Sequence, residues 1–231
     1  IVDNTMATPW LCRPFEWGAD LVVHSTTKFL SGQGNAMGGI VIDSGRFPWF
    51  GNAKYPSLSE PCPDYNGLTF AETFGDMAFT LYSHAVSLRD LGCTQSPMNA
   101  WITLNGVETL PLRMERHVEN AQKVAGFLQQ HPSVEWVSYA GLSSSPYYQL
   151  AQKYLQGKAG SVFTFGIRGG YESGLRLLEK VELFSHVSNI GDSRSLILHP
   201  ASTTHRQLSD EQRLIAGAGP EVIRLSVGIE S

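Results

Sequence analysis

The sequence predicts an α/β protein in which a small sheet near the start of the chain is followed by a second layer of α+β type. Short apolar runs without interruption come first, a long helical pattern fills the middle, and alternating runs follow it. Uninterrupted β-branched runs are typical of strands buried on both faces, and alternation is typical of half-buried strands. The chain therefore contains two predicted sheets of different character.

The first predicted sheet contains three strands, over residues 1–3, 20–24 and 39–43. A short helical connection over 9–17 separates the first two strands. Because the runs are short and β-branched, we expect a parallel or mixed sheet with both faces buried. The polar residues of this region lie at strand ends, where open α/β sheets place ligands.

The middle of the chain is predicted to be a loop and then helices. Residues 47–69 are rich in Pro, Gly, Asn, Ser and Tyr and show no period, so they predict a long ordered loop. Apolar residues then recur every three or four positions over 70–90 and 97–130, which predicts two helical stretches. The second is expected to link two domains and to bury one apolar face, made of Leu104, Val107, Leu110, Met114 and Val118.

The last third of the chain predicts a smaller α+β layer. Residues 134–139, 161–167 and 222–227 alternate between apolar and polar side chains, as half-buried strands do. Residues 171–180 and 209–216 have a helical pattern. We therefore expect a sheet that is covered by helices on one face.

Composition excludes several classes of function. The 231 residues are 42% hydrophobic and 16% charged, which is typical of globular proteins. A net charge of −4 with scattered basic residues disfavours nucleic acid as a partner. No apolar run approaches the roughly 20 residues that span a bilayer, so we expect no membrane partner and a cytoplasmic location.

Cysteine and histidine patterns predict neither a disulfide framework nor a metal site. Cys12, Cys62 and Cys93 are odd in number and include no Cys-x-x-Cys pair. The seven histidines include no His-Glu-x-x-His pattern. We therefore predict no metal.

The most informative residue is Lys28, because an apolar strand delivers its amine to a loop that also carries hydroxyls. A lysine amine can form a Schiff base with the aldehyde of pyridoxal 5'-phosphate, a cofactor that acts as an electron sink. Ser25 and Thr27 are two positions apart, so in an extended segment both can reach the phosphate. Asp3 ends an upstream strand, where a buried carboxylate would keep the pyridine nitrogen protonated.

Each of these residues also has a simpler interpretation. Lys28 alone would be read as a surface lysine, and Asp3 as part of an Asx turn. Ser25 and Thr27 alone would be read as loop hydroxyls that bond their own backbone. Their order along the chain favours the cofactor site.

These residues resemble the Cys/Met-metabolism family of pyridoxal-phosphate enzymes, and the similarity extends over essentially the whole chain. Downstream blocks are similar to the O-acetylhomoserine sulfhydrylase branch, and the loop over 47–69 favours that branch because it is shorter or missing in cystathionine synthases and lyases. The blocks that carry the resemblance are residues 3–5, 25–28, 32–35, 88–92, 106–113, 189–192 with 199–202, and 223–230.

The resemblance implies a fold-type-I PLP-dependent transferase. Residues 1–108 would form the rear part of the large cofactor domain, and 109–231 a C-terminal α+β domain with an interdomain helix. The family has a segment before Asp3 and a helix beyond Glu230, so we expect the chain to be truncated at its N-terminus. The family also implies a homo-oligomer, a dimer of dimers.

The resemblance further implies the roles of three more residues. Thr5 would lie near the cofactor ring. Arg224 would clamp the α-carboxylate of the substrate, since a guanidinium can bind both oxygens at once. Asn189 stands where related lyases and synthases carry Ser, and would donate an amide hydrogen bond to the same carboxylate. Without the resemblance, Arg224 would be read as part of a salt bridge at the rim.

The implied reaction is a γ-replacement, with Lys28 as the catalytic residue. O-acetylhomoserine would lose acetate and accept sulfide or a thiol, which gives homocysteine or methionine. Two alternatives within the family are methionine γ-lyase and cystathionine γ-synthase. A more distant alternative is a non-catalytic assembly module in which the lysine is incidental.

Overall fold

Two separate sheets organise the chain in the computed structural model, which describes residues 1–231. The first sheet contains, in spatial order, β1 (Val2–Asp3), β2 (Leu21–Ser25) and β3 (Gly39–Asp43). The second contains five strands in the order β4-β5-β8-β7-β6. Their bounds are β4 Val134–Ser138, β5 Val162–Ile167, β6 Ser185–His186, β7 Leu196–Leu198 and β8 Val222–Ser226.

Ten α-helices surround the sheets. They are α1 Thr8–Leu11, α2 Pro56–Ser59, α3 Phe70–Phe74, α4 Ala78–Tyr82, α5 Arg89–Leu91, α6 Pro97–Glu108, α7 Leu110–Gln130, α8 Tyr148–Tyr154, α9 Gly170–Lys180 and α10 Asp210–Ile215. Two π-helical segments, Thr26–Leu30 and Ser83–Leu88, add to them. Four 3-10 turns complete the list, at Pro14–Trp17, Pro63–Tyr65, Gly75–Met77 and Pro200–Ser202.

The first sheet is mixed, as predicted. β1 runs parallel to β2, and β2 runs antiparallel to β3. The expectation that both faces are buried is wrong for the two edge strands, since Val41 is 54% exposed and Val2 is 38% exposed. Only β2 is largely buried, because it has a neighbour on each side and carries the turn that packs into the core.

The predicted loop over 47–69 is ordered by aromatic packing. It contains only one short helix and one 3-10 turn, so the prediction of a segment without long elements is confirmed. Trp49 stacks on Phe79 with ring centroids 5.6 Å apart, and Phe70 is 1% exposed. Burial of such rings stabilises the segment, and backbone hydrogen bonds between residues close in sequence, such as Cys62 N–H to Leu68 and Gly67 N–H to Cys62, stabilise its turns.

The predicted single helix over 97–130 is two helices that meet at Thr109. Pro111 lies in the first turn of α7 and cannot donate a backbone hydrogen bond to the preceding turn, so a new helix begins there. The prediction of one buried apolar face is confirmed for Met114, which is fully buried, and is wrong for Leu104, which is 65% exposed.

The stretch over 70–90 is also divided more finely than predicted. Gly75, at φ 54°, separates α3 from the residues that follow, and the rest is a 3-10 turn, α4, a π-helical segment and α5. A positive φ is accessible to glycine at little steric cost, so the helix ends there.

The second sheet contains the three predicted strands, and its two predicted helices are α9 and α10. Strands β6 and β7 were missed by the prediction, because two or three residues are too few to show a period, and helix α8 was missed as well. One face of the sheet packs against α7, through buried residues that include Ala121, Ala125, Phe163, Phe165, Ile197, Ile223 and Leu225. The division of the chain into domains at 108/109 stays a prediction.

The described chain shows no further grouping that would suggest a different class of protein. No three His, Cys, Asp or Glu side chains come together in a way that could hold a metal ion. The three cysteines are unpaired. None of the helices combines the length and the apolar character needed to cross a membrane.

Candidate active site

Lys28 lies in a wide turn that directly follows the central strand of the first sheet. Strand β2 ends at Ser25, and the next five residues, Thr26–Leu30, form a turn that is kinked at Lys28, where the backbone is non-helical (φ −91°, ψ −127°). Thr26 and Phe29 are 3% and 1% exposed. These neighbours anchor the turn in the protein, while Lys28 stays only half-buried.

The Lys28 amine reaches a loop of the second sheet. Its Nζ donates a hydrogen bond of 2.5 Å to Oδ1 of Asn189. Nη2 of Arg224 donates to the backbone oxygen of the same asparagine at 3.3 Å. An ammonium group can only donate, so the Asn189 side-chain oxygen faces the lysine and its NH₂ group remains for another acceptor. The fold thus joins three residues that the sequence analysis singled out separately.

Arg224 is a cation without an acidic partner. It lies in β8, where its neighbours Ile223 and Leu225 are in the core on the opposite face of the sheet. None of the ion pairs of the chain includes it. Burial lowers the pKa of Arg224 from its ordinary value, yet a guanidinium remains charged at neutral pH. The alternative of a rim salt bridge is therefore not what the structure shows.

The acidic side of the site is a chain of short hydrogen bonds between the ends of β1 and β2. The Thr5 N–H donates to Oδ1 of Asp3 at 2.9 Å, and the Ser25 N–H donates to Oγ1 of Thr5 at 2.8 Å. Hydrogen bonding from Thr5, through its side chain and then its backbone, lowers the pKa of Asp3. The carboxylate is therefore ionised at neutral pH.

Two expectations about these residues need correction. Asp3 was expected to be buried, but it is exposed, because no other part of the described chain covers the end of β1. Ser25 and Thr27 were expected to share one side of an extended segment, but the strand ends at Ser25 and Thr27 belongs to the turn. The Thr27 hydroxyl accepts from the Gly38 N–H at 3.1 Å and donates to its carbonyl at 3.3 Å.

Arg113, for which the sequence predicts no role, also contacts the turn through its guanidinium. Its residue is 9% exposed, and its Nη1 donates to the carbonyl of Phe29 at 2.8 Å. One signal was available in the sequence. Arg113 lies one residue from Met114 and three from Leu110, both on the predicted apolar face, where an unpaired arginine is uncommon.

The whole chain, residues 1–231, matches the family model of the Cys/Met metabolism PLP-dependent enzymes. The chain belongs to this family. The family and the α/β fold of PLP-dependent transferases were both predicted from the sequence, and both predictions are confirmed. The cofactor of the family, pyridoxal 5'-phosphate, is also the one predicted.

Two similar proteins of the family are named O-acetyl-L-homoserine sulfhydrylases. The O-acetyl-L-homoserine sulfhydrylase of Leptospira meyeri is 51% identical over 240 residues, which cover 100% of this chain and 54% of the relative. The O-acetyl-L-homoserine sulfhydrylase 1 of Thermus thermophilus is 50% identical over 231 residues, 100% of this chain and 55% of the relative. The chain thus spans about half the length of the curated relatives it matches.

A solved structure has the same fold. It is a protein of Campylobacter jejuni assigned as an O-acetylhomoserine (thiol)-lyase, and it contains an N'-pyridoxyl-lysine-5'-monophosphate. The TM-score is 0.94 at 43% identity, over 99% of this chain and 55% of the other. At that identity and score, the likeness extends to the path of the backbone around the sheets described above.

The residues present fit pyridoxal 5'-phosphate by their chemistry. Asp3 ends β1 and Lys28 follows the end of β2, and because these strands are parallel, both residues lie at one edge of the sheet. An ionised carboxylate suits a protonated pyridine nitrogen, and an amine suits the aldehyde. The hydroxyl of Ser25, which has no hydrogen-bond partner within the chain, suits a phosphate oxygen.

Proposed function

We propose that this chain is part of an enzyme that performs a γ-replacement on O-acetylhomoserine with sulfide or a thiol, giving homocysteine or methionine and acetate. The observation that carries this proposal is the bridge from Lys28 through Asn189 to Arg224. It places an amine that can move protons beside a cation that can bind a carboxylate, which is what a reaction on an amino acid requires.

The cofactor, when bound, supplies an electron sink for negative charge that develops at the substrate α-carbon. Lys28 is the residue that we propose to link to it and to move protons at the α- and β-carbons. The 2.5 Å bond from its Nζ to Asn189 gives the free amine a fixed place beside the substrate. Asp3, kept ionised by Thr5, is proposed to pair with the pyridine nitrogen.

Arg224 and Asn189 are proposed to orient the substrate. Arg224 commits one donor to the Asn189 carbonyl and has its remaining N–H groups free of acidic partners. The Asn189 NH₂ group is turned away from the ammonium, so both groups can donate to one carboxylate. Ser25 and Thr27 are proposed to bind the phosphate, with Thr5 near the ring; for Thr27 this requires that its hydroxyl exchange the 3.3 Å bond to the Gly38 carbonyl for a phosphate oxygen.

The choice of sulfhydrylation over the alternatives rests on the relatives. Two are named O-acetyl-L-homoserine sulfhydrylases, and a relative in Schizosaccharomyces pombe, 44% identical, is named homocysteine synthase. The ordered aromatic loop over 47–69 is also in place. A γ-lyase would eliminate without an acceptor, and a cystathionine γ-synthase would use cysteine as the acceptor.

The proposed partners are small molecules and further copies of the chain in a dimer of dimers, in the cytoplasm. Helix α6 supports the oligomer, because it is apolar on more than one face and leaves large side chains uncovered: Met98 is 63% exposed and Trp101 is 61% exposed. A helix that is apolar all round is normally buried by a neighbour.

Acetate release tests the reaction directly. The intact protein with pyridoxal 5'-phosphate and O-acetylhomoserine is expected to release acetate only when sulfide or a thiol is added, with one homocysteine or thioether formed per acetate. Acetate and a 2-keto acid formed without any thiol would identify a γ-lyase instead. Cystathionine formed from cysteine, with no product from sulfide, would identify a cystathionine γ-synthase.

The Arg224→Lys variant tests the substrate site. It keeps a positive charge and loses the planar fork that can bind both carboxylate oxygens. A charge-assisted contact of this kind is worth roughly 1.5–3 kcal/mol, so kcat/KM for O-acetylhomoserine should fall on the order of tenfold to a hundredfold, mainly through KM. Steady-state kinetics measure this effect.

The matched control is Arg168→Lys, since Arg168, just beyond β5, is exposed and its side chain donates only to the backbone carbonyl of Pro132. Its kinetics should equal those of the wild type. The cofactor absorbance should be unchanged in both variants. If Arg224→Lys lost the absorbance of the lysine-linked cofactor, Arg224 would act on the cofactor or the fold, and the assignment to the substrate carboxylate would be wrong.

A further inference from the structure

The junction of α6 and α7 holds the turn that carries Lys28. Gly106, in the last turn of α6, lies directly against this turn, and a Cβ atom there would collide with the carbonyl oxygens of Leu30 and Ser31. A side chain at this position would push the helix away from the lysine. The contact therefore brings the helix backbone next to the residues that immediately follow Lys28.

Arg113, in the second turn of α7, fills the space beside this contact. Its Nη1 donates to the Phe29 carbonyl at 2.8 Å, and its Nη2 donates to the carbonyls of Gly106 at 2.6 Å and Leu30 at 3.4 Å. Its Nε donates to Oγ1 of Thr109 at 3.1 Å. One guanidinium thus joins the lysine-bearing turn to both helices.

Arg113 has no acidic partner, although it is buried. None of the ion pairs of the chain includes it, and burial lowers its pKa from the ordinary value. Removing a guanidinium from water without a counter-ion is costly unless hydrogen bonds replace its solvent. Here the replacement is provided by the carbonyl oxygens of Phe29, Leu30 and Gly106 and by the Thr109 hydroxyl.

The opposite side of the same turn is held by the loop that contains Asn189. A Cβ atom on Gly191 would collide with Phe29, and both the backbone N–H and the hydroxyl of Ser193 donate to the Gly32 carbonyl at 2.8 Å. The turn is therefore held between the junction of α6 and α7 on one side and the loop that contains Asn189 on the other. On the helix side, Arg113 is the only residue that hydrogen-bonds the carbonyls of Phe29 and Leu30 through its side chain.

We propose that Arg113 is a positioning residue for Lys28, which holds the turn so that the amine meets Asn189 and the cofactor at one place. The proposal rests on the proposed function of Lys28. Arg113 does not touch substrate or cofactor in it. Its effect is transmitted through the Phe29 and Leu30 carbonyls, one and two residues after the lysine.

Amide hydrogen exchange in the intact Arg113→Lys protein tests the proposal. Lysine keeps the positive charge, but its ammonium group lacks the planar set of N–H donors with which Arg113 reaches Phe29, Gly106 and Thr109 at once. The Ser31 and Gly32 amides, which donate to Thr26 and Lys28 within the turn, are expected to exchange about tenfold faster or more. Amides that pair β5 with β8 should keep their rates. The matched control is Arg116→Lys on the same helix, where the arginine is half-exposed and pairs with Glu119.

Two further readouts separate positioning from general stability. The share of bound pyridoxal phosphate that borohydride fixes to Lys28 should fall in Arg113→Lys, and kcat should fall by a larger factor than KM changes. If Arg113→Lys does not fold, Thr109→Val provides a milder variant. It removes the acceptor of the Arg113 Nε and the hydroxyl bond to the Gly106 carbonyl but leaves the Arg113 bonds to Phe29 and Leu30, and it should change the same amides in the same direction.

Unchanged exchange at Ser31 and Gly32 in either variant would overturn the proposal. Equal acceleration at these amides and in β5 and β8 would also overturn it, because that result describes a merely stabilising residue. A wild-type protein that binds no pyridoxal phosphate would defeat the proposed function instead, since exchange reports the rigidity of the turn with or without the cofactor.

Discussion

Replacing Lys28 by alanine is expected to abolish turnover. The variant lacks the amine that we propose to link to the cofactor and to move protons, and no other lysine is bonded to Asn189. Loss of a proton-transferring group alone costs up to about 10⁴-fold, and loss of the cofactor linkage adds to it. Acetate release from O-acetylhomoserine measures the effect. Pyridoxal phosphate should still bind, without a covalent link, because Ser25, Thr27 and Asp3 are unchanged.

The control for this variant is Lys123→Ala, because Lys123 is an exposed helical lysine that pairs with Glu119 and lies outside the site. It should retain full activity. Borohydride reduction followed by peptide mapping should place the pyridoxyl group on Lys28 in the wild type and in Lys123→Ala, and nowhere in Lys28→Ala. A pyridoxyl group on any other lysine of the wild type would show that the assignment is wrong.

The positions of the longer strands could be predicted from the sequence, because β-branched and alternating runs favour an extended backbone, although the burial expected for β1 and β3 was wrong. The strands at 39–43 and 162–167 follow from β-branched or alternating runs that few other structures accommodate. Strands β6 and β7 have two and three residues, which is too short for a period to appear. β7 pairs with β8, a partner that comes later in the chain, and β6 pairs only with β7.

The helix break at Thr109 shows where periodicity misleads. Leu104 and Val107 continue the apolar spacing of Leu110 and Met114, so the pattern predicts one helix and one buried face. Pro111 cannot donate a backbone hydrogen bond, the backbone leaves helical geometry at Thr109, and Met114 in α7 is buried while Leu104 in α6 is not. The spacing of apolar side chains does not register a break in the backbone hydrogen bonds.

In the candidate site, the functional residues could be predicted from the sequence, but the contacts between them could not. Lys28, Asn189 and Arg224 could be singled out one by one through family motifs, although they are far apart in the sequence. Their bridge could not be predicted, because it depends on how the loop before β7 meets the turn after β2. Arg113 was missed for a related reason: its partners are backbone carbonyls, which any sequence provides.

Asp3 illustrates the limit of inferring burial from a strand pattern. The apolar residues before it predicted a covered strand end, and the structure has an exposed carboxylate held by Thr5. Its proposed role depends on charge, not on burial. An Asp3→Asn variant, which removes the charge, therefore tests this role.

The Asp3→Asn variant should therefore keep its shape and lose its function. Asparagine can still accept the Thr5 N–H through its carbonyl oxygen, so the turn at residues 3–5 should persist. The amide cannot keep a pyridine nitrogen protonated, which weakens the electron sink at the step that forms negative charge on the substrate. We expect kcat to fall by ~10²–10⁴-fold with little change in KM, as found when a charge-stabilising group is removed.

Asp20→Asn is the matched control, because Asp20 lies just before β2, at the opposite end of the strand from Ser25 and Lys28. Its kcat should equal that of the wild type. Hydrogen bonding from Thr5 lowers the pKa of Asp3, so the wild-type carboxylate should stay charged, and kcat should show no loss from its protonation, until the pH falls below the ordinary Asp value of 3.8. A neutral amide cannot keep the pyridine nitrogen protonated. A near-normal kcat in Asp3→Asn would therefore mean that another residue pairs with the ring.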